Sequence, residues 1–370
     1  MAAVHYRPDG FPPRTLDWSR LIPHLGPTAA AVARYDGMLA AIPNPAVLLS
    51  PLTTQEAVLS SKIEGTQATM GEVLEFEAGG EAESPARRED IHEVLQYRAA
   101  MREAERLLQD LPFSLRVLRE THAVLLDGVR GRSKSPGEFR RGQAWIGPPD
   151  CPIEEATYVA VAPETLHASM GAWERFANHD PSDRLVQTAI LHAEFEAIHP
   201  FADGNGRLGR MLIPLYMAHT GIIRRPMFYL SAYLEGRRAT YYEKLQAVSR
   251  DEDWTGWCVF FLEAIRSQAV DNLAKANAIL ELFEHMKRRL PDLTRSQHAV
   301  RALDWIFERP VFSSVDFVEK AGIPAPTARR FLRLFQAEDI LRVVSAGSGR
   351  RPTILGYPPL LTIVEGRAVL

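Results

Sequence analysis

The chain has 370 residues, enough for two or three domains, and its 46% hydrophobic and 24% charged content is that of a soluble globular protein. Its net charge of −3 selects no class of partner, and its two cysteines, Cys151 and Cys258, supply neither a disulfide framework nor a zinc spacing, so they read as reduced thiols of a cytoplasmic protein. The residues after Met1-Ala2 lack the apolar stretch of a signal peptide, and no run of about eighteen apolar residues predicts a transmembrane helix, so no membrane is expected among the partners.

The first residues are rich in turn formers (Pro8, Gly10, Pro12, Pro13) and are expected to run extended. Helical spacing begins at Ala29–Leu39 and returns at Thr53–Glu64, where Gly65 suits a C-terminal cap. Ser60 and Glu64, four apart, share one face of that helix. Glu77–Asp90, acidic and interrupted by Gly79, Gly80 and Pro85, predicts a loop. Ile91–Leu108 and Leu115–Leu126 predict amphipathic helices. Ala156–Pro163 shows imperfect strand alternation with an edge available, and Trp145 and Ile146 before it are expected to pack inside. Arg184–Ile198 predicts a buried helix, followed by helices over Leu208–Thr220, Arg237–Val248 and Trp254–Arg289, the last broken by Pro291.

From Thr294 the character changes. Helices are expected at Val300–Phe307, Ser313–Val318 and Ala325–Ala337, with a turn at Gly322-Ile323-Pro324, then strands at Ile340–Val344 and Thr353–Gly356 around Gly347-Ser348-Gly349-Arg350-Arg351. That order is that of a winged helix-turn-helix. Residues 295–370 hold eleven Lys/Arg against seven Asp/Glu, and Arg329, Arg330 and Arg333 lie on the third helix. Such residues suit phosphate contacts with DNA, although the same module also serves protein contacts.

The densest chemistry lies in His199-Pro200-Phe201-Ala202-Asp203-Gly204-Asn205-Gly206-Arg207-Leu208-Gly209-Arg210. Glycines let backbone N–H groups approach phosphate oxygens, a helix start adds a favourable dipole, and arginine forks match further phosphates. A histidine beside them supplies a base, and Asp203 a metal-binding carboxylate. His192, Glu196 and His199 share a helix face, but the H-E-x-x-H order is absent. His192 therefore reads as a satisfied interior histidine.

This segment meets every fixed position of the signature of the Fic family, H-x-F-x-D/E-G-N-G-R-x-x-R, which the chain resembles. Ser60-Ser61-Lys62-Ile63-Glu64-Gly65 is similar to the family's inhibitory motif, S/T-x-x-x-E-G/N, at the N-terminal position of class II members. The resemblance implies a mainly α fold: a Fic helical core with a β-hairpin flap, then the small winged helix-turn-helix. The expected layout is an N-terminal helical region with the inhibitory helix at 1–112, the core at 113–255, connecting helices at 256–293 and the winged module at 294–370.

The activity implied is transfer of AMP from ATP to a Ser, Thr or Tyr hydroxyl of a protein, the chain itself included, with release of pyrophosphate. By resemblance His199 is the base, Asp203 holds Mg²⁺, and Gly204, Asn205 and Gly206 cradle phosphate, with the Asn205 side chain on the α-phosphate. Arg207 takes the β-phosphate and Arg210 the γ-phosphate. Tyr242 lies near the adenine, and Thr157, Tyr158 and Val159 form the flap that clamps the target. Ser60 and Glu64 are inhibitory, Glu64 pairing with Arg210 in the place of the γ-phosphate. Related Doc toxins carry lysine where Gly206 stands and transfer the γ-phosphate; glycine leaves room for the pyrophosphate. A homodimer that buries the inhibitory helix is compatible with this pattern. The alternatives are a DNA-binding regulator that uses the site as a nucleotide sensor, and a phosphodiesterase that removes AMP with water oriented by Glu64.

Overall fold

The computed structural model describes residues 3–42, 44–128, 132–148, 151–348 and 351–367. Met1, Ala2, Gly349 and Arg350 lie outside the described residues. Helices dominate. The chain opens with β1 (Val4–His5), α1 (Trp18–Ala41), α2 (Pro45–Leu48), α3 (Ser50–Ile63), α4 (Met70–Glu77), α5 (Pro85–Asp110) and α6 (Leu115–Leu125). Next come β2 (Trp145–Ile146), β3 (Tyr158–Val159), α7 (Pro163–Ala177), α8 (Arg184–Ile198), α9 (Asn205–His219), α10 (Ser231–Gly236), α11 (Arg238–Asp251) and α12 (Trp254–Thr294). The last part holds α13 (Ala299–Glu308), β4 (Val311–Ser313), α14 (Ser314–Lys320), α15 (Ala325–Ala337), β5 (Arg342–Ser345), β6 (Ile354–Gly356) and α16 (Pro358–Glu365). None of these helices is long and apolar enough to cross a membrane.

Two compact units share these elements. Met1–Asp36, Leu59–Gly65 and Gln96–Val270 form one; Gly37–Val58, Thr66–Leu95 and Asp271–Leu370 form the other. At the centre of the first unit α8 packs along α9, with α7 and α11 against α8. Twelve of the fifteen residues of α8 are buried, and twelve of fifteen in α9. A helix surrounded on all sides must be apolar or satisfied all round. Accordingly the buried Gln187 and His192 of α8 are tied: Gln187 donates to the carbonyls of Phe176 and His179, and His192 bonds Gly209 and Tyr241. Trp173 and Trp257 donate their indole N–H groups to carbonyls of the same helix. Asp183 caps its start, accepting from the N–H groups of Leu185 and Val186.

A three-stranded sheet lies in the same unit in the order β1-β3-β2. β3 pairs antiparallel with β2 (Ile146 opposite Tyr158) and parallel with β1 (Val4 opposite Tyr158). The N-terminal residues therefore reach a strand more than 150 positions away, which no local pattern discloses.

In the second unit β4, β6 and β5 form an antiparallel sheet in that order. Ser313 caps α14. α15 buries Ala328, Phe331, Leu332 and Phe335, the spacing of a helix with one apolar face. Helix, helix, turn, helix and hairpin follow in the expected order, and the short strand β4 is an addition.

Two local expectations are corrected. Half of Glu77–Asp90 is helical: α4 ends at Glu77 and α5 already begins at Pro85, a residue suited to a helical first turn because its missing N–H has no partner to lose there. Pro291 does not end α12, which continues to Thr294. The Thr294 hydroxyl and the Arg295 N–H bond the carbonyls of Leu290 and Pro291, completing the final turn around the proline.

Candidate active site

The loop between α8 and α9 is the seat of the site. α8 ends at His199, whose backbone is left-handed (φ 52°, ψ 62°), a conformation that costs a non-glycine residue about 1–2 kcal/mol. The chain then turns through Phe201, fully buried, whose ring stacks on His122 at 3.7 Å. Gly204, with φ +76°, is the N-cap of α9, where an L side chain would be strained and would crowd Leu126. The first-turn N–H groups of α9 have no partner within the helix and point toward the loop, a ready anion cradle.

His122, on α6, braces this loop. Its Nδ1 accepts the N–H of Gly137, so Nε2 carries the proton and donates to the carbonyl of Asp203. Burial pushes its pKa down to about 4, which keeps the ring neutral. The Asn205 carboxamide accepts from the N–H of Phe201 and donates to the carbonyl of the same residue. That side chain therefore spans the loop instead of reaching outward to a phosphate, and only its backbone is placed for the cradle.

A cavity of about 430 Å³ opens beside the loop. His199, Gly206, Arg210, Glu64, Glu196 and Tyr242 line it, with Trp145, Ile146, Thr157 and Tyr158 on the sheet side. Arg210, 1% exposed, is gripped by the end of α3: Nε donates to the Ser60 hydroxyl, and Nη2 donates to the Ser60 carbonyl and to Glu64 Oε1 at 2.6 Å. The pocket walls alone would raise the Glu64 pKa; the guanidinium overcomes them and holds it below the usual carboxylate range. A Cβ on Gly206 would collide with Glu64 Oε1 and crowd Arg210. Glycine at this position is thus what lets Glu64 lie across the helix start.

Burial also lowers the His199 pKa, with the Glu64 carboxylate pulling the other way. Its Nδ1 is enclosed, on the side of the Glu196 backbone. Arg207 is buried and reaches Asp203 Oδ1 at 3.4 Å, while Asp203 stays 42% exposed. Tyr242 lies on the cavity wall, its hydroxyl donating to the carbonyl of Ile63 at 3.4 Å.

The structure thus brings Ser60, Glu64, His199, Asp203–Arg207, Arg210 and Tyr242 together. The flap expectation is reversed. β3 is the middle strand, with Tyr158 and Val159 buried and the Tyr158 hydroxyl bonded to the Ala197 carbonyl, so Thr157–Val159 offers no free edge. The outer strands are β1 and β2; it is β2 that lines the cavity, and its Trp145 and Ile146, expected inside, are 40% and 44% exposed. Sequence reasoning gave no role to Arg140, whose side-chain acceptors are all backbone carbonyls, three of the four distant in sequence. It also missed His122, although its spacing from Leu118 and Leu125 placed it on the buried face of α6.

Comparison with known proteins agrees with this geometry. The sequence model described as "Fic/DOC family N-terminal" matches residues 22–106, and that of the "Fic/DOC family" matches residues 112–217. The curated relatives include the protein adenylyltransferase Fic of Drosophila virilis, 31% identical over 121 residues. That of Drosophila melanogaster is 30% identical over 121 residues. These matches cover 31% of this chain but only 22% of the relatives' own length. Among solved structures, a Fic family protein from Desulfovibrio desulfuricans superposes with a TM-score of 0.60 at 20% identity, covering 94% of this chain and 98% of that one. A Fic domain containing signaling protein from Bacteroides thetaiotaomicron gives 0.55 at 17% identity, covering 69% and 97%. Those two share the fold. With both family sequence models matched in succession and the signature loop seated between α8 and α9, the chain belongs to the Fic/DOC family.

Proposed function

We propose that this protein is a self-inhibited Fic-type transferase that moves AMP from ATP to a Ser, Thr or Tyr hydroxyl of a protein, itself included. The observation that carries the reading is the Glu64–Arg210 pair, which fills the arginine of a phosphate-binding helix start inside the cavity that also holds His199. Family membership and the relatives' names support a transferase of this type.

In the reaction the acceptor hydroxyl oxygen attacks the α-phosphorus, and the bond from that phosphorus to the β-phosphate oxygen breaks. Pyrophosphate leaves with the electron pair, and His199 takes the hydroxyl proton. With Nδ1 enclosed, Nε2 is the acceptor atom. Burial suits the role, because a lowered pKa keeps the imidazole neutral near pH 7. First-turn N–H groups of α9 and Arg207 stabilise the phosphates, and Arg210 does so once Glu64 releases it. Asp203 fits Mg²⁺: one half-exposed carboxylate beside a phosphate cradle is the donor set of an ion bound by one or two carboxylates plus substrate phosphates. When bound, the ion would offset charge on the phosphates.

Intact mass after incubation with Mg²⁺ and ATP tests this. An added AMP mass is expected on Glu64→Gly and absent from His199→Ala. Equal labelling of wild type and His199→Ala would sink the reading, and an added phosphate mass would replace it with kinase chemistry.

A second reading concerns residues 294–370, proposed as a winged helix-turn-helix that contacts DNA. On α15, Arg329 and Arg333 are exposed on the face opposite the buried Phe331 and Phe335. Arg330 is held elsewhere, donating to the Thr294 carbonyl. Cytoplasmic location remains the expectation from the two unpaired thiols.

A further inference from the structure

Arg140 lies in the segment before β2 and is 8% exposed. No carboxylate pairs with it among the described residues. Its guanidinium is spent on main-chain carbonyls: Nε donates to His199 at 2.8 Å, Nη1 to Gly142 at 2.7 Å, and Nη2 to Val161 at 2.5 Å and Ile198 at 3.3 Å. Its own backbone N–H donates to the Pro200 carbonyl at 2.9 Å. One residue thus takes three consecutive carbonyls, 198 to 200, at the end of α8. It also takes one carbonyl on each side of the β2–β3 pair, Gly142 before β2 and Val161 after β3.

A buried charge without a counterion is costly, and it persists only where its hydrogen bonds are needed. What these bonds hold is the left-handed turn at His199, a conformation that a histidine does not prefer. The planar fork of arginine fits several carbonyls at fixed angles; the single ammonium of lysine does not.

We propose that Arg140 is the positioning residue of this site: it fixes the His199 imidazole against the β2–β3 sheet, and so sets the distance from base to acceptor hydroxyl without touching either substrate. The proposal rests on the transferase reading, and one arm of its test does not.

The test uses full-length protein in the Glu64→Gly background, with Arg140→Lys and Arg140→Met. Misplacing a catalytic group by about 1 Å costs on the order of 100-fold, so kcat is expected to fall about 10- to 100-fold in both. KM for ATP should stay within about threefold, because the phosphate cradle is carried by residues 204–210. The second arm is the ring signal of His199 in ¹³C-histidine NMR spectra, assigned by its loss in His199→Ala. It should shift in both variants while the His192 signal, held by Gly209 and Tyr241, stays in place.

Unchanged kcat, or kcat and KM worsening together while both histidine signals move, would overturn the proposal, the latter by showing a general loss of structure. If Arg140→Met does not fold, Arg140→Lys decides on the same criteria. If Glu64→Gly shows no labelling at all, the transferase reading fails by itself, and an unmoved His199 signal then overturns the role of Arg140 independently.

Discussion

At the scale of single residues, the Glu64–Arg210 contact makes opposite predictions for its two ends. Glu64→Gly removes a carboxylate that opposes an incoming phosphate, and like-charge juxtaposition costs several kcal/mol, so labelling should rise at least about tenfold. Arg210→Ala also frees Glu64, yet it removes the cation proposed to take the phosphate. A lost hydrogen bond to a charged group is worth about 1.5–3 kcal/mol, which would raise KM for ATP about 10- to 100-fold. Adding Glu64→Gly to Arg210→Ala should recover little, since the two residues act through each other. Full recovery in the double variant would show that Glu64 inhibits by some other contact. The base has its own signature in pH. In its proposed role His199 works neutral, and burial lowers its pKa, so activity should be lost as pH falls through a value below the ordinary histidine figure of about 6.5. The Glu64 carboxylate favours the imidazolium, so its removal should move that acid limb lower still. A limb above pH 6.5 in the kcat/KM profile of Glu64→Gly would contradict this assignment.

At the scale of elements, α8 carries an unusual load of buried ionisable groups, and their signs oppose. Burial holds Glu194 and Glu196 up at about 8 and His192 down at about 3. The glutamates are protonated in the fold but ionised in the unfolded chain above about pH 4.5, so the stability they contribute is lost as pH rises toward 8. His192, and His122 at about 4, are neutral in the fold, and the stability they contribute is lost as pH falls below about 6.5. The thermal midpoint should therefore peak between about pH 4.5 and 6.5 and decline toward pH 8. Glu194→Gln keeps an acceptor for the Tyr6 hydroxyl and cannot ionise, so its decline should be shallower. Equal slopes in scanning fluorimetry for variant and wild type would remove Glu194 from the account. Elements also show where sequence is readable. α8 and its loop were legible because dense apolar spacing meets a motif with one residue per task. α4 was legible in principle, since Thr69 and Glu72 form a capping box, yet its short apolar run was passed over. The flap was misread for a physical reason: which strand of a pair is the edge depends on a third strand, and β1 comes from the far end of the chain. The role of Arg140 was not legible because carbonyls, its only side-chain acceptors, have no sequence identity.

At the scale of the whole molecule, charge is unevenly placed. Residues 295–370 hold eleven Lys/Arg and seven Asp/Glu, which leaves 32 Lys/Arg and 39 Asp/Glu elsewhere. A basic excess this small on an acidic chain predicts weak, salt-sensitive binding to nucleic acid at best, because each phosphate contact contributes only about 0.9 to the slope of log K against log salt. Arg329 and Arg333 are the exposed cations of α15 without partners among the described residues, whereas Arg330 and Arg351 are already engaged with Thr294 and Glu81. Duplex DNA should therefore shift in mobility at about 50 mM salt and be released by about 200 mM. Arg329→Glu with Arg333→Glu should abolish the shift. Labelling by Glu64→Gly should be untouched by that pair of changes, because its residues all lie in the other compact unit. Absence of a shift at low salt, or a shift that survives both reversals, would leave α15 as a protein-contacting surface. Loss of labelling together with the shift would mean that the second unit takes part in the transferase reaction, and the two activities could no longer be assigned to separate parts of the chain.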